Sequence, residues 1–523
     1  MQLTLYLFRE EVEKFDDAMK KELLNRKYER CGVSGFPFEA IAYVLYPKST
    51  GMRWAGFFAD TVDYDSNKMR NSRCGLVFLT KYKNRIFAIT AGMGFSAINR
   101  DKIEYDFGLK VALNELDYDK ILGVDSRSCE LNAVQKREVS SVEGRFEEFA
   151  FDSYTDMLSR VLGKAEASAL ARTVVGSDAL IINDKMEMRD VPGKIKKSYK
   201  LYSSEKYKKR YAFIDNVRLV KSKAKRDVLT EKMVDSIRNY KESKVVLVAP
   251  DIDIAVNAAA YKVSRGKECF IFSDIKGDGA LDYVVSLLDG GAGLDSCFID
   301  ALDADGETVA GKRRIKDYVS CEVEEGGDYF LFADKRWYRV NSDFAVDIDG
   351  EIGAINVLKN YMPDVKVFGD RTEVEGEYNK RAAKLIDGIL FDKDLYYADK
   401  SGGSIEMCDI FGSDGKIIHV KKYGSSSVLS HLFNQGYVSA ETLRRNRSSG
   451  EWFIGKIKEK GGCVPDGGFG ESSNIKIVYA IVGARKGATL KTLPFFSKVS
   501  LKSFYDRLRV MGCMLDVTMS FME

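Results

Sequence analysis

The chain has 523 residues and 58.8 kDa, with 81 basic and 78 acidic residues and a formal net charge of +3. This length exceeds what a single hydrophobic core serves, so about two to four domains are expected. The balanced charge gives no global sign of a polyanionic partner, so any such signal must be local. Only 7 prolines and 45% hydrophobic residues exclude long disordered tails, and the pattern of elements predicts a multidomain α/β (α+β) protein.

Cysteine usage and the N-terminus bear on cellular setting. The nine cysteines are scattered, odd in number and never spaced as CxxC, so neither a zinc ribbon nor a disulfide framework is supported. The start MQLTLYLFREEVEKFDDAMKK lacks the basic beginning and the apolar run of a signal peptide. No window of about 18 uninterrupted apolar residues follows. The sequence therefore predicts a cytoplasmic protein with reduced thiols and no membrane partner.

Residues 1–168 predict an N-terminal α/β module. The alternation in LTLYLF indicates a strand, and the charge spacing from Glu10 to Arg30 indicates a helix. The runs GLVFLTKY and RIFAITAG, joined by a short connection, predict a hairpin. The glycine pair Gly92 and Gly94 lacks the rest of a phosphate-binding loop, so it is interpreted as a tight turn. The segment SYTDMLSRVLGKAEA predicts an amphipathic helix that ends near Gly163.

Residues 169–365 predict a central α/β module whose early part holds a dense basic run. Thirteen Lys or Arg stand against two acids between Lys194 and Arg226, with four tyrosines interleaved. Cations with aromatics between them suit a nucleic-acid backbone and unpaired bases. The alternative is a solvated helix face whose tyrosines pack inward, and both interpretations are open at this point. The candidate nucleic-acid contacts are Lys196, Lys197, Lys206, Lys208, Lys209 and Arg210.

Residues 366–523 predict a third domain with a fixed order of elements. EGEYNKRAAKLIDGI predicts a helix, ILFDKDLYYAD a strand, and IEMCDIF and KIIHVKK two strands joined by a Gly-Ser-Asp-Gly turn. SSSVLSHLFNQGYVSAETLRR predicts a serine-capped helix. IKIVYAIVGA and LPFFSKVSLKSFYDRLRVMG predict a further strand and helix. A mixed sheet flanked by helices is expected.

This order brings candidate catalytic residues together. Metal-dependent phosphodiester cleavage needs carboxylates that converge on a divalent cation and a lysine near the attacked phosphate. Glu377 lies on the predicted helix, Asp409 at the first hairpin strand, and Lys421 on the second strand with His419 two residues before it. Residues two apart on a strand share a face, so His419 and Lys421 are expected to point the same way. Glu377 and Asp409 are the candidate ligands of Mg²⁺ or Mn²⁺.

The segment resembles the restriction-endonuclease-like superfamily, which is defined by a Pro-Asp, then Asp/Glu-x-Lys, pattern on a helix-strand-strand-strand-helix core. The resemblance implies that Glu377 is the helix glutamate, Asp409 the metal aspartate and Lys421 the catalytic lysine. His419 stands where the superfamily has an acid. Because imidazole is a poorer ligand for a hard cation than a carboxylate, a catalytically inactive domain that binds nucleic acid is an open alternative.

A second resemblance covers nearly the full length. DFGLKVALNELD, EYNKRAA, IEMCDIF, HVKKYGSSSVLSHLFNQG and LPFFSKVSLKSF are similar to a sporadically distributed, functionally uncharacterised prokaryotic family of genomic islands. That resemblance implies a setting among mobile elements or in phage defence. It names no reaction.

Local charge in the C-terminal region agrees with a nucleic-acid partner. Arg444 and Arg445 follow the serine-capped helix as further candidate contacts, and Lys456, Lys458 and Lys460 alternate as in a strand. We therefore predict a DNA-directed protein, with a metal-dependent nuclease as the leading hypothesis and DNA favoured over RNA. A protein-interaction scaffold, a homo-oligomer and a defence-system partner protein are the remaining expectations.

Overall fold

The architecture is taken from a computed structural model of the whole chain. It is a mixed α+β protein with several separate sheets. The structure describes residues 2–21, 28–51, 70–128, 135–165, 170–240, 245–250, 252–275, 278–291, 293–309, 311–333, 335–369, 371–391, 394–397, 404–424, 426–470 and 475–523.

The chain divides into two compact units. The first is built chiefly from Met1–Arg127, Gln135–Phe151 and Met157–Ile214, and the second chiefly from Asp215–Glu523. The first unit runs past the predicted boundary at residue 168 because strands on both sides of that point pair in one sheet. The division into three modules at 168 and 365 stays a prediction.

The first unit is organised around a ten-stranded sheet of order β2-β3-β4-β5-β1-β10-β9-β8-β6-β7. In the described part of this unit, the α-helices that accompany the sheet are α1 (Phe107–Glu115), α2 (Val191–Tyr202) and α3 (Lys208–Tyr211). The strands are β1 (Gln2–Leu7), β2 (Glu29–Gly32), β3 (Ala40–Gly51), β4 (Arg70–Tyr82), β5 (Arg85–Gly92), β6 (Ile121–Ser128), β7 (Gln135–Gly144), β8 (Asp156–Lys164), β9 (Thr173–Gly176) and β10 (Leu180–Asn183).

Sequence patterns in this unit had mixed outcomes. The β4/β5 hairpin is confirmed, and its turn residues Lys83 and Asn84 take φ of 49° and 59°, as the tightest hairpin turns require. The helix predicted from Glu10 to Arg30 is not continuous: Phe15–Ala18 is a short 3-10 helix and Glu29–Gly32 is β2, while residues 22–27 lie outside the described residues. The helix predicted to end near Gly163 is wrong: that segment is β8, where buried residues alternate with more exposed ones.

Helix α1 lies against the ten-stranded sheet at a distance set by two glycines. A Cβ atom added to Gly108 would stand 2.0 Å from the carbonyl oxygen of Ala179, and one added to Gly176 would stand 2.2 Å from that of Gly108. Either methyl group would overlap backbone. The close approach lets Phe107, Val111 and Ala112 become fully buried in the core.

The second unit begins with two antiparallel sheets. One has the order β11-β19-β18-β17-β12 and the other β14-β13-β15-β16. The strands are β11 (Val217–Leu219), β12 (Val245–Leu247), β13 (Ala260–Arg265), β14 (Glu268–Phe272), β15 (Phe298–Leu302), β16 (Arg313–Arg314), β17 (Val319–Glu325), β18 (Asp328–Ala333) and β19 (Arg336–Val340). The helices are α4 (Lys223–Arg238), α5 (Ile252–Asn257), α6 (Asp278–Asp289) and α7 (Ser342–Ile352).

A six-stranded mixed sheet follows, with the order β20-β29-β28-β27-β26-β23. Its first four strands in this order run parallel, and the last two are antiparallel to their neighbours. Its strands are β20 (Asn356–Leu358), β23 (Ile389–Leu390), β26 (Ile410–Phe411), β27 (Ile417–Lys422), β28 (Lys476–Ala484) and β29 (Met514–Phe521). Two small hairpins are formed by β21 (Val367–Phe368) with β22 (Arg371–Thr372) and by β24 (Leu395–Tyr397) with β25 (Ser404–Glu406).

The helices of this region are α8 (Glu375–Leu385), α9 (Ser426–Arg445), α10 (Arg447–Glu459) and α11 (Phe495–Val510). The predicted helices at α8, α9 and α11 and the predicted hairpin of β26 and β27 are confirmed. The strand predicted from the alternation of Lys456, Lys458 and Lys460 is wrong. Phe453 and Ile457 are both fully buried, and this four-residue spacing makes the segment a helix.

We predict opposite effects for alanine at two helical glycines of the first unit. Gly108→Ala should lower the free energy of unfolding by about 1–3 kcal/mol, since the new methyl group overlaps the Ala179 carbonyl. Gly193→Ala, on α2 with nothing within 4 Å of the new Cβ, should raise it by up to about 1 kcal/mol. Urea unfolding of both variants measures the difference, and a stabilised Gly108→Ala protein would contradict the packing described.

Candidate functional site

Strand β27 divides its side chains between two helices. Ile418 and Val420 pack with Tyr378 and Ala382 of α8 in one apolar cluster. On the opposite face, the side chain of His419 meets Ser439 of α9. Two of the predicted site residues, His419 and Lys421, therefore lie in a strand that has a helix on each face.

Asp409 lies directly before β26 and is almost completely buried, with 6% of its surface exposed. Its Oδ2 accepts a hydrogen bond from the Val420 amide at 2.8 Å, and its Oδ1 accepts one from Asn379 Nδ2 at 3.4 Å. Burial raises the pKa of the Asp409 carboxyl to about 7. The Val420 hydrogen bond and the charge of Lys421 act in the opposite direction, while the carboxylates of Glu406 and Glu375 add to the increase.

Lys421 meets a carboxylate at the beginning of α8. Its Nζ lies 2.5 Å from Glu375 Oε1, and the two side chains keep 22% and 33% of their surface exposed. Lys421 is one residue from the end of β27, so its long side chain can pass the edge of the sheet to α8. His419 and Lys421 are two residues apart in the regular ladder of β27, but the ends of their side chains contact different helices, α9 and α8.

Asn379 adds an oxygen atom beside Asp409 that sequence reasoning missed. Its side chain is 1% exposed, and its Oδ1 is buried with no hydrogen-bond partner. A buried amide oxygen without a partner costs free energy unless a ligand or water occupies that place. Glu375 and Asn379 are four residues apart on α8, so both lie on the helix side that carries Tyr378 and Ala382. The helical spacing of the apolar residues was visible in the sequence. It would have favoured Glu375 over Glu377 as the glutamate that faces the sheet.

Glu377 lies apart from this group. Its side chain is 68% exposed, and its Oε1 accepts a hydrogen bond from Lys380 Nζ at 2.9 Å. Two residues on a helix are about 200° apart, so Glu375 and Glu377 point to different sides. The role of Glu377 as a metal ligand stays a prediction, and Glu375 is the acid that the structure brings to Lys421.

His419 lies in the interior. Its side chain is 1% exposed, and its Nε2 lies 3.0 Å from Ser439 Oγ. Burial, with a smaller contribution from the Lys421 charge, lowers the pKa of His419 to about 3. A neutral imidazole with a hydroxyl partner is typical of a packing residue. In the structure His419 contacts Ser439 of α9, and its catalytic role stays a prediction.

The basic run of the first unit uses its aromatic residues internally. Tyr207 and Tyr211 are buried, and the phenol of Tyr202 donates to Asp106. Several cations of the run also have partners: Lys197 pairs with Glu115 and Lys208 with Glu205, while Arg210 lies over the Tyr118 ring. Inward tyrosines are what the second interpretation of this run expected. Nucleic-acid contact by Lys196, Lys197, Lys206, Lys208, Lys209 and Arg210 stays a prediction.

The C-terminal arginines lie at the end of α9. Arg445 pairs with Glu441 one turn earlier, at 3.0 Å, and Arg444 is exposed. An i,i+4 pair on an exposed helix contributes little to stability and leaves the guanidinium accessible. Nucleic-acid contact by Arg444 and Arg445 also stays a prediction.

The oxygen atoms around Asp409 fit a hydrated divalent cation. Mg²⁺ is commonly held by one or two carboxylates with water filling the remaining positions. Asp409 and Glu375 supply carboxylates, and Asn379 supplies the amide oxygen without a partner. Among the described residues, no group of three or more His, Cys, Asp or Glu side chains is arranged to hold a metal ion. These three side chains are therefore the candidate ligands of a cation that would keep most of its water molecules.

Comparison with known proteins identifies a family without giving a reaction. The model of a family described as "Family of unknown function (DUF6119)" matches residues 3–521, which is nearly the whole chain. No curated protein matches the sequence. None of the helices in the described ranges has the length and hydropathy needed to cross a membrane.

The buried carboxylate predicts a pH-dependent stability. Folding raises the pKa of Asp409 from 3.8 to about 7, so the folded state holds a proton that the unfolded state releases. This contribution is complete below about pH 4 and is lost as the pH rises through 7, a change of up to about 4 kcal/mol. Asp409→Asn cannot ionise, so its stability relative to the parent should rise by that amount between pH 4 and pH 8. Urea unfolding at both pH values measures it, and a constant difference would contradict the burial of this group.

Proposed function

Since the chain belongs to the family DUF6119, whose description names no reaction, we propose its function from the site: metal-dependent cleavage of phosphodiester bonds in DNA. The observation that carries the proposal is the contact of Lys421 with Glu375 beside the buried Asp409. Such chemistry needs carboxylates that bind a cation and a lysine near the phosphate. Asp409 and Glu375 supply the carboxylates, Asn379 an amide oxygen, and Lys421 the ammonium group.

The order of elements supports the same proposal. Helix α8 is followed by β23, β26 and β27, then by α9 and by β28, which runs parallel to β27. Helix α8 packs on one face of β27, and α9 packs on the other. Apart from the β24/β25 hairpin between β23 and β26, this order agrees with the helix-strand-strand-strand-helix core of the resembled superfamily, which supports the proposal. We propose a restriction-endonuclease-like C-terminal domain on this basis.

Each residue has a defined part in the proposed reaction. The carboxylates of Asp409 and Glu375 and the Oδ1 of Asn379 would hold the cation. A bound Mg²⁺ or Mn²⁺ supplies Lewis-acid stabilisation of the phosphoryl oxygen and lowers the pKa of a water molecule. Lys421 would place its ammonium against the attacked phosphate, and its contact with Glu375 fixes the position of the Nζ atom. The backbone amide of Val420 orients the Asp409 carboxylate.

A second function, binding of nucleic acid without cleavage, is favoured by one observation: His419 is buried in the core. A site with one acid fewer than the resembled superfamily binds a hard cation more weakly. A domain with this arrangement can bind nucleic acid through its cations without cleaving it. The same cleavage experiment separates the two functions, because only the first one depends on Asp409 and on a divalent cation. The setting in mobile elements or phage defence stays a prediction.

Neighbouring glutamates on α8 provide a matched test of the nuclease site. With Mg²⁺ or Mn²⁺ and either plasmid or linear DNA, we expect cleavage by the parent protein. Glu375→Gln, Asp409→Asn and Lys421→Ala should each lower the rate about 100-fold or more, since each removes a charge acting on the cation or the phosphate. Gel analysis of the products measures the rate.

Glu377→Gln is the control for that experiment, because it makes the same change two residues away on an exposed side chain. Its rate should match the parent protein. Loss of cleavage in Glu377→Gln with normal cleavage in Glu375→Gln would restore Glu377 as the ligand and reject the arrangement proposed. Equal cleavage by all four variants would reject the nuclease function.

A further inference from the structure

A group of partly exposed aromatic rings lies on the first unit and includes Tyr199 of the basic run, whereas Tyr207 and Tyr211 of that run are buried. Phe38 and Tyr82 have ring centroids 5.3 Å apart, and Tyr82 and Tyr199 have centroids 5.9 Å apart. The inner sides of Tyr82 and Tyr199 pack against the core of the unit. The rings are thus held in place while part of each remains accessible.

Three elements bring these rings together. Phe38 lies in the connection between β2 and β3, Tyr82 ends β4 at the tight β4/β5 turn, and Tyr199 lies on α2. The turn conformation at Lys83 and Asn84 fixes the direction in which the hairpin ends. The arrangement depends on regular elements, so the rings are preorganised before any ligand arrives.

Exposed lysines surround the rings. Lys196 Nζ lies 5.6 Å from the Phe38 ring centroid, and Lys83 Nζ lies 5.7 Å from that of Tyr199. Lys200 is one helical turn from Lys196 on α2 and is also exposed. We call the six residues the lysine-aromatic patch: Phe38, Tyr82, Lys83, Lys196, Tyr199 and Lys200.

The charge of the lysine-aromatic patch is not neutralised. Within the described part of the chain, no carboxylate lies within 4.0 Å of the amino groups of Lys83, Lys196 or Lys200, in contrast to Lys194 and Lys197 on the same helix. The neighbouring acid Glu39 is already beside Lys81, at 3.4 Å. The patch therefore presents a positive field at partly exposed rings, over which Lys83 and Lys196 lie.

We propose that the lysine-aromatic patch binds single-stranded nucleic acid, with bases on the rings and phosphates on the lysines. Every base has a face that can stack on an aromatic ring, whereas the bases of a duplex are hidden from such rings. The amino groups of Lys83 and Lys196 lie over the rings, and these flexible side chains can turn to the phosphates of the same strand and leave the rings to the bases. The proposal goes beyond the cleavage site, because the patch lies in the other unit and needs neither a metal ion nor Asp409.

Fluorescence anisotropy with a labelled 20-nucleotide oligo(dT) in EDTA tests the proposal with the full-length protein. We expect binding that weakens with salt and is at least about tenfold tighter than for a duplex of the same length. The variant Lys83→Gln/Lys196→Gln/Lys200→Gln should lower the slope of log affinity against log salt by about 2, since each single-strand phosphate contact contributes about 0.7. Tyr82→Leu keeps an apolar side chain for the core and should weaken binding about tenfold.

The matched control is Lys232→Gln/Lys316→Gln/Lys335→Gln, which makes the same charge change at acid-paired lysines of the second unit. It should bind as the parent protein does. Because the binding assay contains EDTA and needs no cleavage, a failure of cleavage is separable from a failure of binding. No binding at low salt, equal affinity for duplex, or equal weakening by the control would overturn the proposal. Parent-like binding by both patch variants would overturn it as well.

Discussion

The C-terminal sheet depends on how one carboxylate is buried. Asp409 lies directly before β26. Its carboxyl group accepts hydrogen bonds from the backbone of β27 and from Asn379 on α8. A carboxyl group in such a place is costly when ionised, so it must have donors or a cation nearby. The structure supplies the Val420 amide, the Asn379 amide group and the charge of Lys421. These requirements determine which side of α8 faces the sheet and where β27 must end.

The packing around Asp409 also explains why Glu377 and His419 lie outside the group formed by Asp409, Glu375, Asn379 and Lys421. Glu377 was the glutamate of α8 that the sequence favoured as a ligand. Its position on the helix exposes it to solvent, where it forms an ion pair with Lys380. His419 is one of only 2 histidines in the chain, yet the alternation of β27 directs it into the packing beneath α9. The helix period and the strand period, rather than the residue types, decide which groups meet.

Much of the C-terminal fold could be predicted from sequence because its periods are strong. The Gly-Ser-Asp-Gly turn identified the β26/β27 hairpin, and the serine run identified the start of α9. The alternation of Lys456, Lys458 and Lys460 led to a wrong prediction of a strand. Lysine side chains on the surface do not report which face is packed, whereas the buried Phe453 and Ile457 do. Asn379 could not be recognised from its type alone. Its significance comes from the buried oxygen without a partner, which only the three-dimensional arrangement reveals.

The sequence separation of the strand pairs has a consequence for folding. The hairpin of β26 and β27 is local, whereas β20 pairs with β29, and Asn356 bonds to Asp516 across 160 residues. Local pairs form early, and pairs that close long loops form late. In an early hairpin without its covering helix, the Asp409 carboxyl would still be hydrated and would have an ordinary acidity. Uptake of its proton therefore belongs to the docking of α8 on the hairpin, so the folding rate of this region should carry a pH dependence that the isolated hairpin lacks.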